Sequence, residues 1–102
     1  MIKILLVEDD KIIVASLSEY LNSEGYLVRS VSGQAAAMKL LAEEKADLVL
    51  LDVSLAEGNG FAACRAIKAE FDIPVIFLTA SGDEASVVTG LNMGADDYIT
   101  KP

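Results

Sequence analysis

The chain has 102 residues, enough for one small domain and too few for two independent cores. Its 16 acidic and 8 basic residues give a formal net charge of −8, which disfavours direct binding to nucleic acid or to anionic membranes. The absence of histidine excludes Ser-His and Cys-His nucleophilic pairs, and a single cysteine excludes an internal disulfide. With no signal-like segment and no apolar run near the ~18 residues of a membrane span, the composition predicts a soluble, cytoplasmic domain.

The N-terminal third of the chain alternates between an apolar run and helical spacing. Residues 2–7 predict a strand, and Asp10 after it is a candidate N-cap for the first helix. The apolar stripe of that helix is expected to consist of Ile13, Leu17, Tyr20 and Leu21. Gly25 is placed to end the helix, and residues 26–31 predict a second strand.

The middle of the chain repeats this alternation with a more apolar strand. Ser32 and Gly33 precede an alanine-rich second helix. Its inner face is expected to carry Ala36, Ala37, Leu40 and Leu41. Residues 47–51 form a continuous apolar run, typical of a parallel strand buried on both faces, and residues 55–60 predict a loop.

The C-terminal part predicts two more strands around a short helix. The third helix is expected to bury Phe61, Cys64, Ile67 and Phe71. Residues 73–78 predict the fourth strand, with Pro74 tolerated near its start. A polar loop over 79–83 leads to a short fourth helix that Gly94 ends, and residues 95–100 predict a fifth strand.

Five strands that alternate with four helices predict an α/β fold. Neighbouring parallel strands need crossover connections, which the helices supply. Because such crossovers are right-handed, the expected architecture is a doubly wound, five-stranded parallel sheet with helices on both faces.

Polar side chains stand where the predicted strands end, at the edge of the sheet where binding sites form in this fold class. Glu8 and Asp9 follow the first strand, Asp52 the third, Thr79 the fourth and Lys101 the fifth. Taken singly, these are ordinary turn residues, helix caps or solvated charges; their convergence at one edge favours a site. Clustered carboxylates repel one another, and a hard divalent cation such as Mg²⁺ relieves that repulsion.

The segments that carry these residues resemble the receiver domain of two-component response regulators. The similar segments are Val-Glu-Asp-Asp at 7–10, Leu-Leu-Asp at 50–52, Thr-Ala at 79–80 and Gly-Ala-Asp-Asp-Tyr-Ile-Thr-Lys-Pro at 94–102. The resemblance covers residues 1–102 as one domain and implies the flavodoxin-like strand order 2-1-3-4-5. It also implies that Asp52 accepts a phosphoryl group from a partner histidine kinase.

The resemblance further implies a role for each site residue. Mg²⁺ or Mn²⁺ would be held by Glu8, Asp9, Asp52 and the backbone carbonyl of Ser54. Phosphoryl binding and the conformational switch would involve Thr79, Ala80, Lys101 and Tyr98. Ser54 and Ser81 would tune the lifetime of the phosphoryl group. The module would act as a signalling switch, not an enzyme, although it would catalyse its own phosphorylation from small acyl phosphates and its own dephosphorylation.

The resemblance also suggests partners and marks two departures. The output would be transcription through an attached domain, and the face of the fourth helix and fifth strand is a candidate homodimer surface; no direct nucleic-acid or membrane contact is expected. Ala56 and Asn59 stand where the family usually has proline and aspartate. A final helix would follow Pro102, so we expect a domain cut after its fifth strand, with apolar sheet surface that favours association.

Other functions fit the sequence less well. Residues 58–63 match a dinucleotide fingerprint, but Gly58 comes six positions after Asp52 and does not follow the strand directly, and no acidic residue ends the next strand. Flavin binding is disfavoured because residues 8–10 are acidic at the place where hydrogen-bond donors to the flavin phosphate are needed. An aspartyl-phosphate phosphatase or mutase and a receiver-like module that is never phosphorylated stay open. Cys64 fits a core position better than a redox role.

Overall fold

A computed structural model describes residues 1–53, 60–79 and 96–100 of the chain. In order, the elements within these ranges are β1 (Lys3–Val7), α1 (Lys11–Ser23), β2 (Leu27–Val31), α2 (Gln34–Glu43), β3 (Leu48–Asp52), α3 (Gly60–Glu70), β4 (Val75–Thr79) and β5 (Asp97–Thr100). The predicted fourth helix lies outside the described residues, as do four of the predicted site residues: Ser54, Ala80, Ser81 and Lys101.

The five strands form one sheet in the order β2-β1-β3-β4-β5, with every neighbouring pair parallel. This confirms the predicted α/β class and the flavodoxin-like strand order. β1 and β3 lie inside the sheet, and their sequences are nearly continuous apolar runs because helices cover both faces of the sheet. The strand order reverses direction between β1 and β3, where sheets of this kind form their binding crevice.

The sheet has an apolar core on each face. Successive strand residues point to opposite faces, so one run of apolar residues in β1 serves both cores. On one face, α2 and α3 cover a cluster of Leu5, Val7, Val49, Leu51, Val75, Phe77, Ala37, Leu41, Ala63, Cys64 and Ile67. On the other face, α1 packs Val14, Leu17 and Leu21 against Ile4, Leu6, Leu50 and Leu78. Burial raises the pKa of the Cys64 thiol, in keeping with its core position.

Two residues predicted to face the core are exposed instead. Tyr20 is 61% exposed, because the face of α1 that packs on the sheet is formed by Val14, Leu17 and Leu21. At 100° per residue, Tyr20 lies well away from that stripe. Ala36 in α2 is exposed for the same reason, since the buried side of that helix carries Ala37 and Leu41.

The predicted ends of α1 are confirmed. The side chain of Asp10 accepts hydrogen bonds from the backbone N–H groups of Ile12 and Ile13, at 2.9 and 3.3 Å. An Asp in this position satisfies donors that have no partner within the helix. Gly25 follows the helix with a φ of 95°, a left-handed conformation in which glycine avoids the strain of a side chain.

At the amino ends of the strands, Asp96 joins three elements. Its carboxylate accepts a hydrogen bond from the backbone N–H of Val75 at 2.8 Å and forms a 3.0 Å ion pair with Lys68 of α3. The Lys68 ammonium also donates to the carbonyl of Ile73, at 3.3 Å. The hydrogen bond from the Val75 N–H, followed by the hydrogen bond from the Lys68 ammonium, lowers the pKa of Asp96.

We expect Asp96→Ala to destabilise the protein at neutral pH by about 1 kcal/mol, through loss of the Val75 bond. The ion pair adds little because both side chains are partly exposed. Since folding lowers the pKa of Asp96, its stabilising contribution is complete above the ordinary carboxyl pKa and disappears as pH falls through the lowered value. Urea unfolding from neutral to acidic pH should therefore show the two proteins converging. The exposed Asp72→Ala control should change little at any pH, and an Asp96→Ala defect that grew in acid would contradict the assignment.

Candidate functional site

Three buried polar side chains lie at the carboxyl edge of the sheet. Asp52 is the last residue of β3, Thr79 is the last residue of β4, and Glu8 directly follows β1. Their exposed fractions are only 1%, 3% and 2%. The strand register aligns them, because Val7 pairs with Leu51 and Asp52 pairs with Leu78. The parallel sheet therefore places these polar groups at one edge, as the sequence predicts.

Backbone hydrogen bonds fix the turn that carries the first two acidic residues. The N–H of Glu8 donates to the carbonyl of Val31 at 3.0 Å, which extends the pairing of β1 with β2 by one residue. The Glu8 carboxylate then accepts the N–H of Asp9 at 3.1 Å. With the Asp10 cap immediately after it, this turn holds both acidic side chains at the edge of the sheet.

Asp52 is held by its own strand and by two connections just beyond it. The N–H of Val53 donates to the carbonyl of Leu78 at 3.2 Å, so pairing with β4 continues past the end of β3. The N–H of Gly60, the first residue of α3, donates to the carbonyl of Val53 at 3.0 Å. Val53, the residue that follows Asp52, is therefore anchored on two sides.

Glu8, Asp9 and Asp52 form a compact acidic cluster. Each offers one carboxylate oxygen, and these oxygens all lie within 4.8 Å of one another. Two of the three residues are almost completely buried, so their mutual repulsion is poorly screened by water. An all-oxygen, anionic donor set of this size fits Mg²⁺ or Mn²⁺, which bind a few carboxylates and keep some of their waters.

Of the other predicted site residues, the structure describes Thr79 and Tyr98. Thr79 is buried beside β3, and Tyr98 lies on β5 opposite Phe77 with 43% of its surface exposed. Thr79 therefore accompanies the acidic cluster at the same edge, whereas the Tyr98 ring is accessible on the outer strand. The side-chain placements of Ser54, Ala80, Ser81 and Lys101 fall outside the described residues.

Gly60 is a site neighbour to which the sequence assigned no such role. It is buried at the start of α3, against the backbone of Asp52 and Val53. The only sequence signal was its place in the dinucleotide-like segment at 58–63. Its contact with β3 gives this glycine a packing reason that requires no nucleotide.

With this fold and acidic edge established, the comparisons with known proteins define the class. Residues 4–102 match the family model described as response regulator receiver domain. The transcriptional regulatory protein GltR of Pseudomonas aeruginosa is 49% identical over 102 residues, covering 97% of this chain and 42% of that protein. AfsQ1 of Streptomyces coelicolor, also a transcriptional regulatory protein, is 42% identical over 99 residues, covering 97% and 44%.

A solved structure agrees with the sequence relatives. The BeF3-activated N-terminal receiver domain of RstA from Klebsiella pneumoniae has a TM-score of 0.91 at 34% identity, covering 97% of this chain and 85% of that domain. The chain belongs to the response regulator receiver domain family of two-component systems. It spans less than half the length of the two curated relatives.

Family membership gives the acidic cluster a general meaning. Receiver domains bind Mg²⁺ in an acidic pocket and interact with histidine kinases, and the related proteins are transcriptional regulators. Within the described residues, none of the helices combines the length and the hydropathy that a transmembrane segment needs.

The electrostatics of the cluster lead to a prediction for the metal-free protein. Asp52→Asn removes one of three neighbouring negative charges while keeping the size of the side chain. We expect a gain in stability of about 1–2 kcal/mol, which for a domain of this size raises the thermal midpoint by roughly 4–8 °C per kcal/mol. Thermal unfolding in a chelator measures the change.

The matched control is Asp72→Asn, which removes the same charge from an exposed site outside the cluster. Its free energy of unfolding should stay within about 0.5 kcal/mol of that of the parent protein. A destabilised Asp52→Asn protein, or an equal gain in the control, would contradict the repulsion between the clustered carboxylates.

Proposed function

We propose that this chain is a phosphorylation-dependent signalling switch whose phosphoacceptor is Asp52. The observation that supports this most is the burial of Asp52 within 4.8 Å of the Glu8 and Asp9 carboxylates, at the sheet edge that Thr79 shares. A nucleophilic carboxylate at such a position is able to attack a phosphoryl group and form a mixed anhydride.

These 102 residues contain no histidine, so we infer that the phosphoryl donor is a phosphohistidine outside them or a small acyl phosphate. In the proposed step, a carboxylate oxygen of Asp52 attacks phosphorus in the phosphohistidine of a partner kinase. The new P–O bond forms as the P–N bond breaks, and the departing imidazole nitrogen takes up a proton. With a small acyl phosphate as donor, the P–O bond to the acyl group breaks and the carboxylate leaves.

Mg²⁺ or Mn²⁺ would be held by Glu8, Asp9, Asp52 and the backbone carbonyl of Ser54. When bound, the ion neutralises the charge of the phosphoryl oxygens, which would otherwise be repelled by the acidic cluster. The protein residues position the reacting groups. Glu8 and Asp9 are fixed by the β1 turn, and Asp52 is fixed by the end of β3, so the nucleophile is oriented before the donor arrives.

The proposed switch uses contacts that exist only after phosphorylation. The hydroxyl of Thr79, the backbone N–H of Ala80 and the ammonium of Lys101 would bind the phosphoryl oxygens. Because these contacts are absent before modification, they give the two states different free energies. As Thr79 moves towards the phosphoryl group, the exposed Tyr98 ring would turn inward. Ser54 and Ser81 are small enough to admit water, so we expect moderate persistence of the phosphoryl group.

In a longer protein, the switch would control an attached output domain. GltR and AfsQ1 are transcriptional regulators of more than twice this length, which supports transcription as the output. We infer a histidine kinase as donor, a cytoplasmic location for this chain, and homodimerisation through the face of the fourth helix and fifth strand, with no nucleic-acid contact from this segment. Its catalytic activity would be limited to its own phosphorylation from small acyl phosphates and its own dephosphorylation.

Incubation with acetyl phosphate and Mg²⁺ tests the phosphoacceptor. Intact-mass measurement should show one phosphoryl group on the parent chain and on the Asp72→Asn control. Asp52→Asn should show none, because the amide is not a nucleophile of comparable strength. A phosphoryl group on Asp52→Asn, or none on the parent, would contradict the proposal. Continuous release of phosphate from an added monoester would instead favour a phosphatase.

The variant Thr79→Ala tests whether the Thr79 hydroxyl is needed for the conformational switch but not for phosphorylation. We expect it to accept a phosphoryl group at a rate within about tenfold of the parent, because the nucleophile is intact. The shift of the Tyr98 ring resonances on saturation with beryllofluoride and Mg²⁺ should fall by roughly half or more. Thr79→Ser keeps the hydroxyl and should restore the response. An undiminished shift in Thr79→Ala would exclude this hydroxyl from the switch.

A further inference from the structure

The first residue of α3 lies unusually close to the strand that carries Asp52. Gly60 is buried, and its N–H donates to the carbonyl of Val53 at 3.0 Å. A Cβ atom added to Gly60 would overlap the carbonyl oxygen of Asp52 and would lie 2.7 Å from the Cα of Val53. Real Cβ atoms essentially never approach other atoms this closely.

Glycine is required at this position because there is no room for a side chain, and not because of its backbone conformation. The φ of Gly60 is outside the left-handed range, in contrast to Gly25, whose φ is 95°. The three nearest atoms that a Cβ at Gly60 would meet all belong to the backbone of Asp52 and Val53. A clash with backbone cannot be relieved by a change of rotamer, so either α3 or the end of β3 would have to move.

The end of β3 has little freedom to move without consequence for the acidic cluster. On its other side, the Val53 N–H is bonded to Leu78 of β4. The Asp52 peptide is therefore held between β4 and the start of α3. The Asp52 carboxylate is two bonds from this backbone, so a displacement of the peptide carries the carboxylate with it.

Displacement matters because the site has strict geometric requirements. Mg²⁺ demands near-ideal octahedral geometry with oxygen ligands at about 2.0–2.1 Å. Placement errors of about 1 Å in a reacting group reduce rates by around a hundredfold. Gly60 therefore influences the distance from the Asp52 carboxylate to the carboxylates of Glu8 and Asp9.

We propose that Gly60 is a positioning residue for Asp52: the missing side chain lets α3 pack directly on the Asp52–Val53 backbone and sets the position of the acceptor carboxylate. The proposal rests on the proposed role of Asp52 as metal ligand and phosphoacceptor. Gly60 itself touches neither metal nor donor, and it acts only through the backbone of β3.

The test compares Gly60→Ala with Gly25→Ala. Both substitutions cost stability, the first through overlap with β3 and the second through a strained positive φ in open space far from the cluster. Gly25→Ala therefore reports what a general loss of stability does to the site. Mg²⁺ affinity is measured by calorimetry, phosphorylation by intact mass after acetyl phosphate treatment, and stability by thermal unfolding.

For Gly60→Ala we expect at least tenfold weaker Mg²⁺ binding and at least tenfold slower phosphorylation at a temperature where the protein is folded. Gly25→Ala should stay within twofold of the parent in both. Parent-like Mg²⁺ affinity in folded Gly60→Ala, or equal losses in the two variants, would overturn the proposal. If the parent binds Mg²⁺ but is not phosphorylated, the proposed function fails, while the Mg²⁺ comparison still decides the role of Gly60.

Hydrogen exchange of the unmodified, metal-free protein provides a check that does not depend on the variant folding. The amides of Gly60 and Val53 should exchange slowly, together with the core amides of β3, because the backbone contact keeps both bonds closed. Rapid exchange of either amide, comparable to that of chain ends, would show that the contact does not persist and would overturn the proposal.

Discussion

Repulsion among three carboxylates at the carboxyl edge of the parallel sheet is the constraint on which the site depends. β1 and β3 are neighbours and run in the same direction, so Glu8 and Asp52 must emerge side by side. Both are buried, and Asp9 joins them within 4.8 Å. Such an arrangement costs folding free energy unless a cation is present, which couples stability to metal binding. The apolar cores on both faces of the sheet supply the rigidity that holds these like charges together.

The fold was largely predictable because its strands are short apolar runs separated by segments with helical spacing of apolar residues. Asp10 caps the beginning of α1 and Gly25 follows its end as expected, since local hydrogen bonding and positive φ are encoded by single residues. The apolar faces of the helices were less predictable. Tyr20 and Ala36 fit an apolar pattern in sequence, but the direction from which the sheet approaches each helix left both side chains exposed.

The acidic part of the site followed from the same reasoning. Once the strands are placed, residues at their carboxyl ends share an edge, so Glu8, Asp9, Asp52 and Thr79 were predictable from position alone. Gly60 was not, because its importance arises from contact across space between the first turn of α3 and the backbone of β3. A sequence pattern shows that a glycine is present and cannot show which backbone lies against it.

Chemical trapping identifies the phosphorylated residue most directly. Borohydride reduces an aspartyl phosphate to homoserine with release of phosphate, and peptide mass spectrometry then locates the reduced residue. After treatment with acetyl phosphate and Mg²⁺, we expect homoserine at position 52 and at no other position. A reduced side chain at another carboxylate, such as Asp9, or no reduced residue at all, would contradict the assignment of Asp52 as the phosphoacceptor.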